Sequence, residues 1–337
     1  MRHINIKDYR NDPSVRQLLV LAADPVGVQG LEDLLDECQN LQVMAHFTEN
    51  GSITALAAYR PSDRYSLCLE YLAVLPEFQQ RGLGRALVEE LRGVHHKNVW
   101  ATTDDDAIDF YRSLGCVISS GPEDPRWPGI SRYLCTLPYF PLLTSQPEED
   151  PEYEAVNGQL MRGKIVLEDP SENWPQEFTV LAERIRTALG PAAMAIEHAG
   201  STSVPGLAAK PIIDIALLVL DANDEASYVP ALENAGLVFW HREPGWYAHH
   251  MFKPRAEHDR MDANIHVFSV GSPEYLRMML FREHLRTDAV DRTAYARVKR
   301  QAAAQLLREQ GEDGLVMDYN RVKEPFILQL HQKLFSK

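Results

Sequence analysis

Cysteine is scarce in this chain and poorly placed for chemistry. Its four copies, Cys38, Cys68, Cys116 and Cys135, all precede residue 140, lie far apart and form no C-x-x-C pair. That spacing excludes a zinc knuckle and a disulfide framework, and leaves reduced core thiols as the expectation. Positive charge is also short: 34 Lys and Arg stand against 48 Asp and Glu, for a formal net charge of -14. A non-specific nucleic-acid binder needs a basic face, so small ligands are expected as partners and nucleic acid is not. Long apolar runs are missing too. No stretch approaches the roughly 18 apolar residues of a membrane span, and MRHINIKDYR leads into no apolar leader core. The expectation is a cytoplasmic protein without a membrane partner. No internal repeat is apparent, so the two halves are expected to be different domains.

What is present fits an α/β (α+β) chain of two domains, because 337 residues is long for a single core. The periodic pattern breaks at PLLTSQPEEDPEYEAVNGQLMRG, where prolines and an acidic cluster read as a linker. This places a first domain at 1–140, the linker at 141–163 and a second domain at 164–337. In the first, strand-like runs (LQVMAHFT, SITALAAYR, YSLCLEYLAVL, NVWATT) accompany two helical stretches, RALVEELRG and DAIDFYRSLG, and Asn50-Gly51 is placed as a hairpin turn. In the second, WPQEFTVLAERIRTALG reads as a helix stopped by Gly190. Strands AAMAIEHAG and PIIDIALLVL follow, then a helix near EASYVPALENAG, strand-like LVFWHRE, HHMFKPR and NIHVFSV, and a helical tail from Pro273.

Chemistry in the first domain centres on LEYLAVLPEFQQRGLGRALVEELRG, a strand followed by a glycine-bearing loop and a helix. Unpaired N–H groups and the macrodipole at a helix start favour an anion such as pyrophosphate. Gly82 and Gly84 allow close approach, and Arg81 and Arg85 add charge.

With Gln79-x-x-Gly82-x-Gly84 after a strand ending LAV, and DDDAIDFYRSLGC later, the stretch from about Ile4 to Phe140 resembles the GNAT acetyltransferase superfamily. The resemblance implies a GNAT fold with a mixed central sheet and acetyl-CoA as cosubstrate. It also implies that main-chain groups of Leu72, Ala73 and Val74 hold the thioester and pantetheine arm. The loop of Gln79, Gln80, Arg81, Gly82, Leu83, Gly84 and Arg85 would take the pyrophosphate. Tyr111 would protonate the leaving thiolate, and Glu70, on the thioester strand, would accept the proton of a small amine directly or through water. The family often carries asparagine where this chain has Asp104. The alternative readings of the residues themselves are a core tyrosine and a solvent-facing glutamate. His95 and His96 fall at a helix end, where they serve the dipole, and Trp127 lies in a proline-rich loop that can shape an acceptor pocket.

The second domain is marked by GSTSVPGLAAKPIIDI. A P-loop needs glycine directly before lysine and Ser or Thr, whereas Gly206 precedes Leu207 and Lys210 precedes Pro211. A dinucleotide fingerprint would run into a helix, not through proline into a strand. The remaining reading is a Gly-Ser turn, Gly200-Ser201, before a strand bearing Asp214, in the order used by nucleotidyltransferases to hold triphosphate and magnesium. NWPQEF, IEHAGSTSVPGLAAKPIIDI, NIHVF, LFREHLR, AYARVK and YNRVKEPFI together resemble the GrpB family over about 165–335. This implies a nucleotidyltransferase-like sheet with flanking helices and a helical tail.

Metal-dependent nucleotidyl transfer needs two or three carboxylates. Here Ala216 follows Asp214 at the alternate position, and the later strand offers Asn264 and His266, with Asp262 on the same face if the strand extends that far. Mg2+ at Asp214 is the cofactor expectation for that chemistry. Glu197, His198, Gly200, Ser201, Lys210, Asp214, His266 and Arg282 otherwise read as a pocket for an anionic or nucleotide-like ligand. His249, His250 and His258 lack metal-ligand spacing, and no metal site is assigned. Three functions compete: an acetyl-CoA-dependent N-acetyltransferase with a ligand-binding second domain, a bifunctional enzyme with nucleotidyl transfer in the second half, and an acetyltransferase joined to a non-catalytic scaffold.

Overall fold

The computed structural model describes residues 1–124, 127–144, 153–158, 161–255 and 262–336. The chain is mixed α/β and its contacts divide it into two units, one of 1–116 with 135–139 and one of 117–134 with 140–337. Residues 117–134, expected in the first domain, thus cluster with the second unit. Of the expected linker, 145–152 and 159–160 lie outside the described residues, while two short elements, α5 (Phe140–Thr144) and β8 (Glu154–Ala155), occupy part of the rest.

The first sheet runs β1-β2-β3-β4-β5-β7-β6. Its strands are β1 (Arg2–Ile4), β2 (Gln42–Phe47), β3 (Ile53–Pro61), β4 (Ser66–Val74), β5 (Asn98–Thr103), β6 (Val117–Ser120) and β7 (Tyr133–Leu137). Strands β2 and β3 are joined through Asn50-Gly51, where Gly51 has φ 82°, as the hairpin signal requires. Two helices that the apolar pattern alone did not separate, α1 (Pro13–Ala23) and α2 (Gly27–Glu37), cover one face. Asp12 starts the first by accepting hydrogen bonds from the Ser14 and Val15 amides, with Pro13 in its first turn. Leu87, Val88 and Leu91 of α3 (Leu83–His95) bury the opposite face, joined by half-buried Phe110, Tyr111 and Leu114 of α4 (Ile108–Leu114).

The second sheet runs β8-β11-β12-β13-β10-β9, with β9 (Ala195–Ala199), β10 (Ile212–Val219), β11 (Leu237–Glu243), β12 (His249–Pro254) and β13 (Asp262–Ser269). Alternation gives it two unlike faces. Ile213, Ile215, Leu217, Ile265, Val267 and Phe252 pack on Leu181 and Ile185 of α6 (Trp174–Leu189) and Leu232 of α7 (Val229–Asn234). The other face carries Glu197, Asp214, Asn264, His266 and His249 in register. A bulge between Phe239 and His241 in β11 shifts the alternation, so Phe239 stays on the apolar face while His241 and Glu243 join the polar one. The expected helical tail is three helices, α8 (Pro273–Thr287), α9 (Ala289–Gln310) and α10 (Val316–Phe335). Among the described residues no helix is long and apolar enough to cross a membrane.

Candidate functional sites in the two units

The first site opens where two parallel strands part. Strands β4 and β5 pair only from Ser66–Cys68 to Asn98–Trp100. Beyond Cys68 the β5-facing main chain of β4 has no parallel partner, which leaves strand-type donors and acceptors at Leu72, Ala73 and Val74. On the other side, β4 pairs β3 with a register shift that sets Tyr71 opposite Ala58 and Leu69 opposite Tyr59, so Glu70 is the bulged residue. A cavity of about 660 Å³ follows the parting and is walled by Leu72–Val74, the loop residues Gln79, Gln80 and Gly82–Arg85, and Phe110 and Tyr111, with Arg81 outside the wall.

The loop is shaped by its own backbone. Gln80 (φ 57°) and Gly82 (φ 78°) are left-handed, and α3 begins after Gly82 with no side-chain cap. The first-turn amides are therefore available to a ligand. Gly84 is needed for space, since a Cβ there would lie 3.3 Å from the Phe110 ring. The loop's side chains turn partly back onto the protein: Gln79 donates to Val74 O at 3.1 Å, Arg81 to Glu77 O at 2.8 Å and Arg85 to Ser113 O at 2.6 Å. The grip offered to an anion is thus mainly main chain.

Tyr111 lines this cavity, its ring edge-on to Phe110 at 5.2 Å between centroids. Burial pushes its pKa well above the usual phenol value, which keeps the O–H as a proton donor. Glu70 is not on the cavity wall: its carboxylate accepts from Arg60 Nε at 2.7 Å and Cys68 Sγ at 3.2 Å. His95 bonds the Tyr59 hydroxyl at 2.8 Å and His96 the Tyr139 hydroxyl at 2.6 Å, so both are structural. Asp104 accepts from the Asp106 amide, and it is Asp106 that reaches the cavity. Trp127 is exposed, with the Arg132 guanidinium over its ring. All four cysteines are free, and burial raises the thiols of Cys38, Cys116 and Cys135 to about 12.

The second site gathers around Asp214. A cavity of about 250 Å³ is lined by Gly200, Ser201, Lys210, Asp214 and His266 from the expected set, together with Thr202, Asn264, Tyr295, Lys299, Tyr319, Asn320 and Lys323. Gly200 (φ 63°) cannot be replaced without movement, because a Cβ would sit 2.1 Å from Asp214 Oδ2. Asp214 accepts from Asn264 Nδ2 at 2.9 Å, and His266 Nε2 lies 3.7 Å away. Burial alone would raise its pKa; His266, Asn264 and Lys210 outweigh that and lower it. Burial depresses all three lysines, Lys299 and Lys323 to about 7 with help from neighbouring lysines.

Three expected members, Glu197, His198 and Arg282, lie elsewhere. His198 pairs with Ile215 and so points to the apolar face, stacked on Phe178 and bonded to Thr202 Oγ1 at 3.0 Å. Burial drives its pKa down to about 4, so it is neutral. Arg282 binds Glu197 at 2.9 Å and His198 O at 2.7 Å, bracing the strand before the turn, and faces a neighbouring cavity that shares Gly200, Ser201 and Tyr295 with the first.

Register answers the carboxylate question. Asp214 stands beside Asn264 and Ala216 beside His266, and Asp214 is the sole carboxylate lining the cavity among the described residues. Asp262 is on β13 but pairs with Lys253 at 3.4 Å outside it. This set does not support a magnesium site. Behind His266 runs a buried chain, with His249 Nε2 3.0 Å from His266 Nδ1 and His249 Nδ1 2.7 Å from Glu243. His241, Glu243 and His249 bring three metal-type ligand atoms within 4.8 Å, as do His284, Asp288 and Asp291. His250 faces Tyr228 instead, and His258 lies outside the described residues.

Sequence reading missed Lys299 and Lys323, although a signal existed. YARVK in α9 and YNRVK in α10 are the same Tyr-x-Arg-Val-Lys pentad, and each places a tyrosine and a lysine four residues apart on one helical face, here the cavity wall.

An uncapped loop beside a parted parallel pair, and lysines gathered over a polar sheet face, give the chain two unlike polar cavities, one in each unit. Residues 43–116 match the family model for an acetyltransferase (GNAT) domain. The chain belongs to the GrpB protein family, whose model matches residues 164–333, half of its length. A UPF0157 protein of Halalkalibacterium halodurans is 48% identical over 162 residues, covering 47% of this chain and 81% of that one. The UPF0157 protein YqkA of Bacillus subtilis is 26% identical over 302 residues, covering 83% of this chain and 76% of that one. Among solved structures, the conserved protein GrpB from Enterococcus faecalis has a TM-score of 0.42 at 24% identity, covering 51% of this chain and 98% of that one.

Proposed function

We propose that the chain is an acetyl-CoA-dependent N-acetyltransferase of small amines, with a second domain that holds an anionic or nucleotide-like ligand. The carrying observation is the opening between β4 and β5, walled by unpaired strand backbone, the uncapped start of α3 and Tyr111. In this reading Leu72, Ala73 and Val74 pair with the pantetheine arm, and the loop from Gln79 to Arg85 receives the pyrophosphate. The amine attacks the thioester carbonyl carbon, the C–S bond breaks, and Tyr111 gives its proton to the departing thiolate. The amine's proton leaves through water toward Glu70, whose contact with Arg60 keeps it off the cavity wall. Partners are small molecules, with neither nucleic acid nor membrane among them, and four free thiols favour a cytoplasmic setting. In this reading transfer belongs to the cavity lined by residues between 72 and 113, and ligand binding to the one lined by residues between 200 and 323.

For the second domain, ligand binding is favoured over nucleotidyl transfer because, among the described residues, Asp214 has no partner carboxylate on the cavity wall. Calorimetry of acetyl-CoA on the full chain and on Gly82→Glu, followed by an acetylation screen of amines, tests the main reading. Acetyl-CoA should bind the native chain and not the variant; equal behaviour, or no binding to either, sinks it.

A further inference from the structure

The cavity beside Asp214 holds a charge imbalance that the protein leaves unsatisfied. Lys210 comes from the segment before β10, Lys299 from α9 and Lys323 from α10, and all three line the same space. Facing them, among the described residues, is one carboxylate, Asp214, already bonded to Asn264 and approached by His266. Lys299 is 3% exposed, and its ammonium donates to Ala208 O at 2.6 Å. Lys210 and Lys323 have no ion pair among the described residues and lie over the Tyr319 ring, 5.6 Å and 4.2 Å from its centroid. Three like charges brought together out of water repel each other and lose hydration, a cost that an anion between them removes.

A second observation points the same way. Tyr319 is fully buried and lines the cavity, and its hydroxyl has no hydrogen-bond partner among the described residues. An orphaned buried hydroxyl is costly unless something polar meets it. Ser201 adds a hydroxyl group from the turn and Asn320 an amide, while the Thr202 hydroxyl is spent on Ile212 O. Ammonium, hydroxyl and amide donors surrounding one space suit phosphoryl oxygens, which accept and do not donate. At about 250 Å³ the cavity exceeds the roughly 30 Å³ of a water several-fold.

Resting on the reading that this domain binds an anion, we propose that the cavity takes a phosphoryl dianion, free or esterified, without a divalent metal. Lys210, Lys299 and Lys323 do the neutralising that magnesium does in a carboxylate-lined site. The Tyr-x-Arg-Val-Lys pentads of α9 and α10 are the two jaws of this clamp, each contributing a wall tyrosine and a lysine.

The test is calorimetry of inorganic phosphate, pyrophosphate and ADP on the full chain in EDTA, repeated with Mg2+. Variants are Lys299→Met, Lys323→Met and, as a control for the first-domain loop, Gly82→Glu. Expected is binding in EDTA that survives Gly82→Glu and weakens by about tenfold or more in each lysine variant, the scale of one charge-assisted hydrogen bond. ADP tighter than phosphate identifies an ester as the ligand; phosphate or pyrophosphate tighter identifies a free anion. Melting of the apo variants at or above the native Tm separates lost binding from lost folding. Binding that needs Mg2+ and ignores both lysine variants overturns the proposal while sparing the anion reading. No binding of any probe overturns both, and binding lost only in Gly82→Glu moves the probe to the first domain and overturns the proposal.

Discussion

The cavity beside Gly82 presents main chain to a ligand, whereas the one beside Asp214 presents ammonium groups. At the first, amides at the start of α3 and unpaired β4 backbone line the opening, and Arg81 and Arg85 are bonded back to carbonyls. At the second, three lysines converge from separate elements onto a carboxylate, that of Asp214. A backbone grip has no protons to gain or lose near neutrality. A lysine grip in which burial lowers Lys299 and Lys323 to about 7 does, so the two sites should differ in pH dependence, in sensitivity to side-chain truncation and in how local their sequence signals are.

The largest expected effect is at the chemical step of the first site. Tyr111→Phe should lower kcat about 10²- to 10⁴-fold, the usual worth of a general acid, with acetyl-CoA affinity unchanged. Steady-state and binding measurements on the same variant separate the two, and an unchanged kcat removes Tyr111 from the chemistry. Next is Gly200→Ala, which combines a left-handed backbone with a Cβ 2.1 Å from Asp214. It should cost about 3 kcal/mol in denaturant unfolding, or displace Asp214 and abolish anion binding. A variant with native stability and native binding contradicts the described turn.

A smaller effect separates the two grips directly. Because the Arg85 guanidinium is spent on Ser113 and Glu89, Arg85→Ala should weaken acetyl-CoA by no more than about fivefold, as for an exposed charge. A loss of a hundredfold would make the first grip a side-chain one after all. The smallest effect is a slope. Lys299 and Lys323 are held near 7 against an ordinary 10.5, so above pH 7 the unfolded chain binds more protons than the folded one. Stability of the apo protein should therefore rise with pH from about 7 toward 10.5, and Lys299→Met should flatten that rise in thermal scans. The groups facing these lysines are Lys210, Asp214 and His266, with Lys253, Asp262 and Arg300 nearby. A slope identical in Lys299→Met removes Lys299 from the account.

Legibility in the sequence followed the same division. The run from Gln79 to Arg85 could be read because strand, glycine turn and helix start are contiguous, and a local backbone conformation is written in local residues. The Asn50-Gly51 hairpin and the Gly200-Ser201 turn were legible for the same reason. Ala216 and Asn264 could be compared with Asp214 because strand alternation is regular, and the β10–β13 register bears that comparison out. What escaped depended on packing between distant segments. The lysines of α9 and α10 become one site only when two helices meet, and the bulge that turns His241 and Glu243 to the polar face has no glycine to announce it. His198 was placed with its neighbours in the motif, yet one step along a strand reverses a side chain's direction. Helices α1 and α2 escaped although Asp12-Pro13 carried a start signal, because an apolar run such as LLVLAA does not by itself distinguish helix from strand.

Residues 200 and 214 occupy one volume between them: the carboxylate of Asp214 fills the place where a side chain at 200 would begin. Their identities are therefore a joint choice, not two separate ones. Lineages that enlarge position 200 must shorten or swing away position 214, and in doing so surrender the carboxylate that tempers all three lysines. Substitutions harmful singly should offset one another as a pair, and the two positions should drift together wherever the anion site is abandoned.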